Sequence, residues 1–258
     1  MKDNAGSQDR FASAWTTYAE IRPEYEEQFL KWVCPLVPGS FRGKKVLDAG
    51  CGTGRNSWWP LRYGAREVDS FDDAPETVEV ARRNLASFPN SRTFVRSIYD
   101  PGVQDEYDIV LCIGVVHHLA HPREAVKRLF QSTRPGGILL IWVYGYEGNE
   151  WIVRGVNPLR NVASRLPFAC VNLAARLFSL PLHLASKAWG GRHPYFEQLS
   201  RFSVRHVHSI VVDQLIPRIA KYWTRDEACS LFDGLGARDL QAHRVNNNSW
   251  TVVAQKQS

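Results

Sequence analysis

Val46-Leu47-Asp48-Ala49-Gly50-Cys51-Gly52-Thr53-Gly54 is an apolar run that ends in a carboxylate and passes into a turn with glycine at alternate positions. Residues of this kind form a strand that must bend sharply into a helix. Three missing Cβ atoms let the backbone make that bend and let a ligand touch it, so the loop reads as a site for a nucleotide-like cofactor. A second carboxylate supports this: Asp72 closes another strand-like run eighteen positions after Gly54, close to the ~20-residue offset at which an acid meets ribose hydroxyls.

Working outward, Phe11 to Val33 reads as an aromatic-rich helix stopped by Pro35, Pro38 and Gly39. The spacing then predicts a strand over 45–48, a helix over 55–63, a strand over 67–71, a helix from Pro75 to Ser87 and a strand over 92–95. Tyr107 to Ile113 is a further strand, Arg123 to Ser132 a helix after Pro122, and Ile138 to Tyr144 a fifth strand after Pro-Gly-Gly. Such alternation predicts an α/β, doubly wound parallel sheet. Residues 147–221 lack strand alternation and carry apolar helical patches divided by Pro158, Pro167, Pro181, Pro194 and Pro217, which reads as an inserted helical lid. Thr224-Arg-Asp-Glu227 fits a capping box, and 238–244 with 249–254 form a closing hairpin through Asn246-Asn-Asn248. The expected layout is a cap over 1–40, a cofactor-binding core over 41–146 and 222–258, and the lid between them.

A dinucleotide fingerprint would place glycine at position 55, where this chain has Arg. The ordered set Asp48-Ala-Gly-Cys-Gly-Thr-Gly54, Phe71-Asp72, Phe94-Val-Arg-Ser-Ile98, Tyr107-Asp-Ile-Val-Leu-Cys-Ile-Gly114, His117-His118-Leu119 and Arg134-Pro-Gly-Gly137 instead resembles the class I S-adenosylmethionine-dependent methyltransferases, over residues 11–145. The resemblance implies a mostly parallel, seven-stranded Rossmann-like sheet with S-adenosyl-L-methionine as cofactor. It implies that Asp48, Gly50 and Gly52 meet the cofactor's methionine end, that Asp72 meets its ribose, and that Ser97 and Ile98 lie by its adenine. Cys51, Gly54, Asp73 and Cys112 complete the implied set. Ser97 stands where relatives commonly carry Asp, which leaves Asp100 as an alternative partner. Cys51 and Cys112 have no partner base adjacent in sequence and read as small buried residues rather than nucleophiles.

A methyl sulfonium is already activated, so proximity and alignment of the acceptor are the main demands on the protein. His117 and His118 follow the fourth strand at the carboxyl edge, where ligands gather in such sheets, and an imidazole there can take a proton from an acceptor hydroxyl or amine. With His121 they could also be read as a metal site, but no recognised ligand spacing supports one. Trp15, Tyr18, Tyr144 and Tyr222 are the aromatic candidates for lining the substrate side, with faces able to stabilise a cation by ~0.5–2 kcal/mol. Arg205 or His208 could meet an acidic group on the acceptor. The expected reaction is methyl transfer to an oxygen or nitrogen of a small-molecule acceptor. Alternatives are a non-methylating use of the cofactor, such as cyclisation releasing methylthioadenosine, and a nucleic-acid methyltransferase.

Composition bounds these readings. The net charge is +6 and the pI near 9.1, compatible with nucleic acid, anionic lipid or an acidic substrate. Base N-methyltransferases carry an Asn-Pro-Pro-Tyr type motif after the fourth strand; Cys112-Ile-Gly-Val-Val116 stands there instead, which argues against nucleic acid. Five cysteines, an odd number without C-x-x-C spacing, argue against a disulfide framework or a zinc cluster and for a reducing compartment, with cytoplasm expected. Met1 to Arg10 lacks the apolar core of a signal peptide. Val162 to Trp189 is rich in Leu, Ala and Phe, but Arg165, Arg176, Lys187 and two prolines leave no run near the ~20 residues of a bilayer crossing. An amphipathic surface helix stays open as a reading beside the preferred one, a lid over an organic substrate.

Overall fold

Alternate residues of each central strand point to opposite faces of one sheet, and both faces are covered. Leu47 and Ala49, Val110 and Cys112, and Leu139, Ile141 and Val143 enter one core layer; Val46, Ile109, Leu111, Ile113, Leu140 and Trp142 enter the other. Strands buried on both faces need apolar residues at every position, which is why these segments read as continuous runs rather than as alternation. A leucine or isoleucine moved fully out of water contributes about 1.5–3 kcal/mol, so these layers dominate the unit's stability.

The computed structural model describes residues 21–23, 25–163, 165–166, 168–189, 191, 194–200, 202–215 and 219–257. Trp15, Tyr18 and the first ten residues of the helix expected over 11–33 lie outside the described residues. Two compact units emerge: Trp151–Arg218, and a larger one that includes Trp15–Glu150 and Ile219–Ser258.

The larger unit contains α1 (Tyr25–Trp32), β1 (Lys45–Ala49), α2 (Arg55–Arg62), β2 (Glu67–Asp72), α3 (Pro75–Leu85), β3 (Ser91–Val95), β4 (Tyr107–Ile113), α4 (Pro122–Ser132) and β5 (Thr133–Tyr144). Its remaining elements follow the helical unit in sequence. Completed by β6 (Ala237–Val245) and β7 (Ser249–Lys256), the sheet has the order β3-β2-β1-β4-β5-β7-β6, with the first five strands parallel and β7 antiparallel to β5. Chain order reverses between β1 and β4, and in open sheets the ligand crevice lies outside the strand ends at that reversal. Strand β5 begins at Thr133, five residues earlier than expected: Tyr107 pairs with Thr133 and Ile109 with Ile138, so Pro-Gly-Gly is a bulged excursion within the strand rather than a turn before it.

The helical unit has a π-helical turn (Ile152–Val156), α5 (Asn157–Ala163), α6 (Phe168–Trp189), α7 (Pro194–Ser200) and α8 (Val204–Leu215). Pro181 does not break it, contrary to the sequence expectation: α6 runs straight through. Pro181 is exposed, so water can satisfy the carbonyl one turn back that its missing N–H leaves. Helix α6 packs against α7 and α8, and the contact includes a polar chain in which His208 Nε2 lies 2.9 Å from Asn172 Oδ1 and its Nδ1 3.2 Å from Ser179 Oγ.

Back in the larger unit, α9 (Arg225–Ser230) starts with the expected box: Thr224 Oγ1 accepts from Glu227 N, and Glu227 Oε2 accepts from Thr224 N at 2.8 Å. The hairpin of β6 (Ala237–Val245) and β7 (Ser249–Lys256) turns on Asn246 and Asn247, whose φ angles of 50° and 60° asparagine tolerates better than most residues.

Candidate active site

The turn from β1 to α2 is held from below. Gly50 N and Cys51 N both donate to the Phe71 carbonyl, at 2.8 and 2.9 Å, and Gly52 N donates to Asp72 Oδ2 at 3.0 Å. Three N–H groups of the loop are therefore engaged inside the protein, which removes much of the anion-binding capacity that a phosphate cradle needs. Glycine is required at two positions for different reasons. At Gly50, with φ +75°, a Cβ would stand 2.5 Å from Val115 Cγ2, so the chain after β4 can close on the loop only over a bare Cα. At Gly52, with φ +54°, a Cβ would meet nothing within 4 Å, which leaves the backbone open to a ligand. Arg55 is explained by α1: its guanidinium lies 4.7 Å from the Tyr25 ring and 5.6 Å from that of Trp32.

Acceptors dominate this end of the crevice. Asp48 is fully buried; its Oδ2 accepts from Ser57 Oγ at 2.6 Å, and Ser57 in turn accepts from Ser70 at 2.9 Å. Asp48 Oδ1 and the buried Asn56 Oδ1 have no hydrogen-bond partner among the described residues. Leaving a buried acceptor unmade costs about 1–3 kcal/mol, more for a charged one, so two together mark a place for a donor from outside the chain. Burial pushes the Asp48 carboxyl up to about 7 despite the Ser57 bond, and the Asp72 charge adds to the shift. Asp72 is pushed up to about 6, chiefly by burial, against the N–H groups of Ala74 and Gly52 and with the charge of Asp73 adding. A cationic or donor-rich ligand fits this set; a pyrophosphate does not.

The other implied cofactor residues are distributed along the same edge. Ile98 is buried in the core layer with Phe71. Ser97 is exposed, its Oγ accepting from Tyr99 N at 3.2 Å, and Asp73 and Asp100 are also exposed. Cys112 is fully buried beneath the loop, and burial with the Asp48 charge raises its thiol, as burial does for Cys51. Neither is a ready thiolate. Asn56, Ser57 and Ser70 were not among the sequence candidates. Their signal was weak but present: three polar residues at positions that the helix and strand patterns make internal.

Past β4, His117 is fully buried and stacks on Tyr144, with ring centroids 3.8 Å apart and planes 24° apart. Tyr144 stacks in turn on Tyr222 at 5.4 Å. His118 is partly exposed, and its Nδ1 lies 2.8 Å from the Ile219 carbonyl. A carbonyl can only accept, so Nδ1 carries hydrogen and a neutral His118 has its lone pair on Nε2, as a base requires. The His121 ring packs edge-on to Tyr99, and among the described residues no group of three His, Cys, Asp or Glu could hold a metal. A groove of ≈ 580 Å³ opens beyond the histidines, between Ala120-His121-Arg123 and Trp223-Glu227, and reaches neither Asp48 nor Asp72. His208, a sequence candidate for meeting an acidic group, is instead bonded within the helical unit; the side chain of Arg205 lies outside the described residues.

A parallel sheet reversing between β1 and β4, with a glycine turn set against two acidic strand ends, defines a Rossmann-like fold. Residues 47–141 match the family model of the methyltransferase domain, a likeness to the class I S-adenosylmethionine-dependent methyltransferases. Among curated proteins, the ubiquinone biosynthesis O-methyltransferase of Erwinia tasmaniensis is 29% identical over 156 residues, 55% of this chain and 63% of that protein. The mitochondrial protein of the same name from Schizosaccharomyces pombe is 33% identical over 105 residues, 39% of this chain and 38% of its own. The match thus spans less than two thirds of the length of these relatives. In fold, the chain is similar to magnesium protoporphyrin IX methyltransferase of Synechocystis, solved with bound SAH: TM-score 0.58 at 16% identity, over 99% of this chain and 97% of that one.

Proposed function

We propose that the β1–α2 loop binds S-adenosylmethionine and that the protein transfers its methyl group to an oxygen or nitrogen of a small-molecule acceptor, with oxygen the favoured atom. The observation that carries this is the pair of buried acceptors, Asp48 Oδ1 and Asn56 Oδ1, beneath a glycine turn whose N–H groups are largely taken. Asp48 and Asn56 hold the cofactor's ammonium end, Gly52 gives its backbone room, and Asp72, whose Oδ2 and Oδ1 accept from Gly52 N and Ala74 N, offers the remaining lone pair of each oxygen to hydroxyl groups. Ile98 supplies an apolar wall for adenine, with Ser97 or Asp100 at its rim. When bound, the cofactor supplies a methyl group already activated by its positive sulfur. His118, its Nδ1 hydrogen fixed on the Ile219 carbonyl, receives the acceptor's proton at Nε2, and the buried His117 holds that edge rigid through its stack with Tyr144 and Tyr222. The choice of oxygen rests on the relatives, which are named O-methyltransferases.

Calorimetric titration with S-adenosylmethionine and S-adenosylhomocysteine, with NAD as control, tests the site. Asp72→Ala should weaken both sulfur ligands by about a hundredfold or more, as two hydrogen bonds to a charged group at ~1.5–3 kcal/mol each require. Asp72→Asn, which can still brace the turn, should fall between. Unchanged affinity in both variants would refute the assignment. Product mass then fixes the chemistry, because methyl transfer leaves S-adenosylhomocysteine and cyclisation leaves methylthioadenosine.

A further inference from the structure

Helix α6 is built inside out for a helix bathed in water. The face it turns to its neighbours carries Val171, Ala175, Ser179 and Ser186, all at 2% exposure or less, with one valine as its only large aliphatic side chain among these four. Leu173, Leu177, Leu180 and Leu184 stand between 51% and 70% exposed on the opposite side. At 100° per residue these four leucines fall within an arc of ~60° and run for ~17 Å along the axis. Arg176 and Lys187, both exposed, lie on one flank of the same stripe. Near it in sequence, Leu159 and Val162 of α5 are 64% and 62% exposed, with Leu166 and Arg165 exposed just beyond. A surface helix ordinarily shows the reverse pattern, so this apolar face needs an occupant.

Charge identifies the occupant. No Asp or Glu occurs from residue 151 to 196, while that stretch holds six cations: Arg154, Arg160, Arg165, Arg176, Lys187 and Arg192. Of the chain's 32 Lys and Arg this leaves 26 elsewhere, against all 26 Asp and Glu. The entire net charge of +6 therefore belongs to the segment that exposes the leucines, and the rest of the molecule is balanced. No helix among the described residues is long and apolar enough to cross a membrane. We propose that α6, with α5, lies on an anionic lipid surface, its leucines at the headgroup–acyl boundary and Arg165, Arg176 and Lys187 at the phosphate level. A leucine stripe flanked by cations and free of carboxylates is what such a surface selects, through apolar burial and attraction to the negative leaflet together. A second copy of this chain would bring the same positive charge to the contact and be repelled. The inference does not depend on the methyl-transfer reading, since α6 contains none of the residues assigned to that site.

The test is flotation of the full chain with phosphatidylcholine vesicles, with and without phosphatidylglycerol. Binding is expected only with the anionic lipid and should fall as salt rises. Leu177→Glu with Leu180→Glu should reduce it about tenfold or more, and Arg176→Glu with Lys187→Glu should do likewise, each leaving S-adenosylmethionine affinity and the circular dichroism spectrum unchanged. Should the glutamate pair disturb folding, Leu177→Gln with Leu180→Gln gives the same reading more gently. Absence of binding to anionic vesicles at low salt, or equal binding by the leucine variants, overturns the proposal. So does sedimentation showing a wild-type dimer that the leucine variants convert to monomer, which would assign the stripe to self-association.

Discussion

In the sheet unit Leu111, Leu139, Leu140 and Ile141 are completely buried, and acids and histidines collect at one edge; in the helical unit α6 buries a valine, an alanine and two serines and presents four leucines outward. The sheet unit thus has its own reason to fold, since each large side chain is matched by apolar neighbours on both faces. The inward face of α6 offers a smaller apolar area, Val171 and Ala175 against residues such as Val212 of α8, and adds hydrogen bonds such as those of Asn172, Ser179 and His208. The edge with the acids and histidines thus stands on buried apolar residues, whereas α6 turns those four leucines to solvent.

The sharpest way to break this contrast is at Gly50. Gly50→Ala adds a methyl group 2.5 Å from Val115 Cγ2 at φ +75°, combining a clash with a backbone that alanine dislikes. Val115 is β-branched and has few rotamers with which to yield. We expect a loss of about 1–3 kcal/mol, read by denaturant unfolding of the sheet unit, with amide exchange of α6 and α8 unchanged. Adding Val115→Ala should return the steric part and leave the backbone part. A harmless Gly50→Ala would mean that the chain after β4 does not close on the loop.

The two units were also unequally legible in the sequence. Every strand of the sheet was readable to within a few residues, because burial on both faces forces unbroken apolar runs and because Pro75, Pro122 and the Thr224–Glu227 box mark helix starts chemically. The exception, the early start of β5, came from a bulge that Pro-Gly-Gly disguises as a turn. Asp48, Asp72 and the glycines stand out in the sequence because a sharp strand-to-helix turn between acidic strand ends constrains residue type. Asn56 does not, since its role depends on burial by elements distant in sequence. In the helical unit, sequence shows that α6 has an apolar face and a small one, but not which is packed; that depends on α7 and α8. Pro181 misled for the same reason, because a proline on an exposed face need not end a helix.

Acidification should separate the two units next. In the sheet unit the folded Asp48 sits near 7 and the unfolded residue near its ordinary 3.8. Between those values the folded chain holds a proton that the unfolded chain has released, so stability falls as pH rises through the window and levels off above it. One such group gives a slope of at most ~1.4 kcal/mol per pH unit. Asp72, pushed up to about 6, adds a term of the same sign over the lower part of the window. Asp48→Asn should flatten the Asp48 share, measured as the difference between variant and wild-type unfolding free energies from pH 4 to pH 7. A difference independent of pH would show that Asp48 is ionised throughout.

The helical unit should answer with the opposite sign and the smallest amplitude. Burial, with the Arg176 charge adding, holds His208 below its ordinary 6.5, against a favourable bond to the Ala175 backbone. Below 6.5 the unfolded chain takes up a proton that the folded site resists, so this contribution is lost as pH falls, where that of Asp48 is gained. Partial exposure of His208 keeps the effect modest. Amide exchange in α6 and α8, corrected for intrinsic rates, should therefore quicken from about pH 7.5 to 5.5 while the central strands are protected as well or better. His208→Gln can still bond Asn172 and cannot titrate, so it should remove the acid response without loosening the unit at neutral pH. Equal slowing in both units on acidification would show that the serine-histidine-asparagine chain does not hold α6 to α8, and the contrast between a core-built and a bond-built unit would fail at that joint.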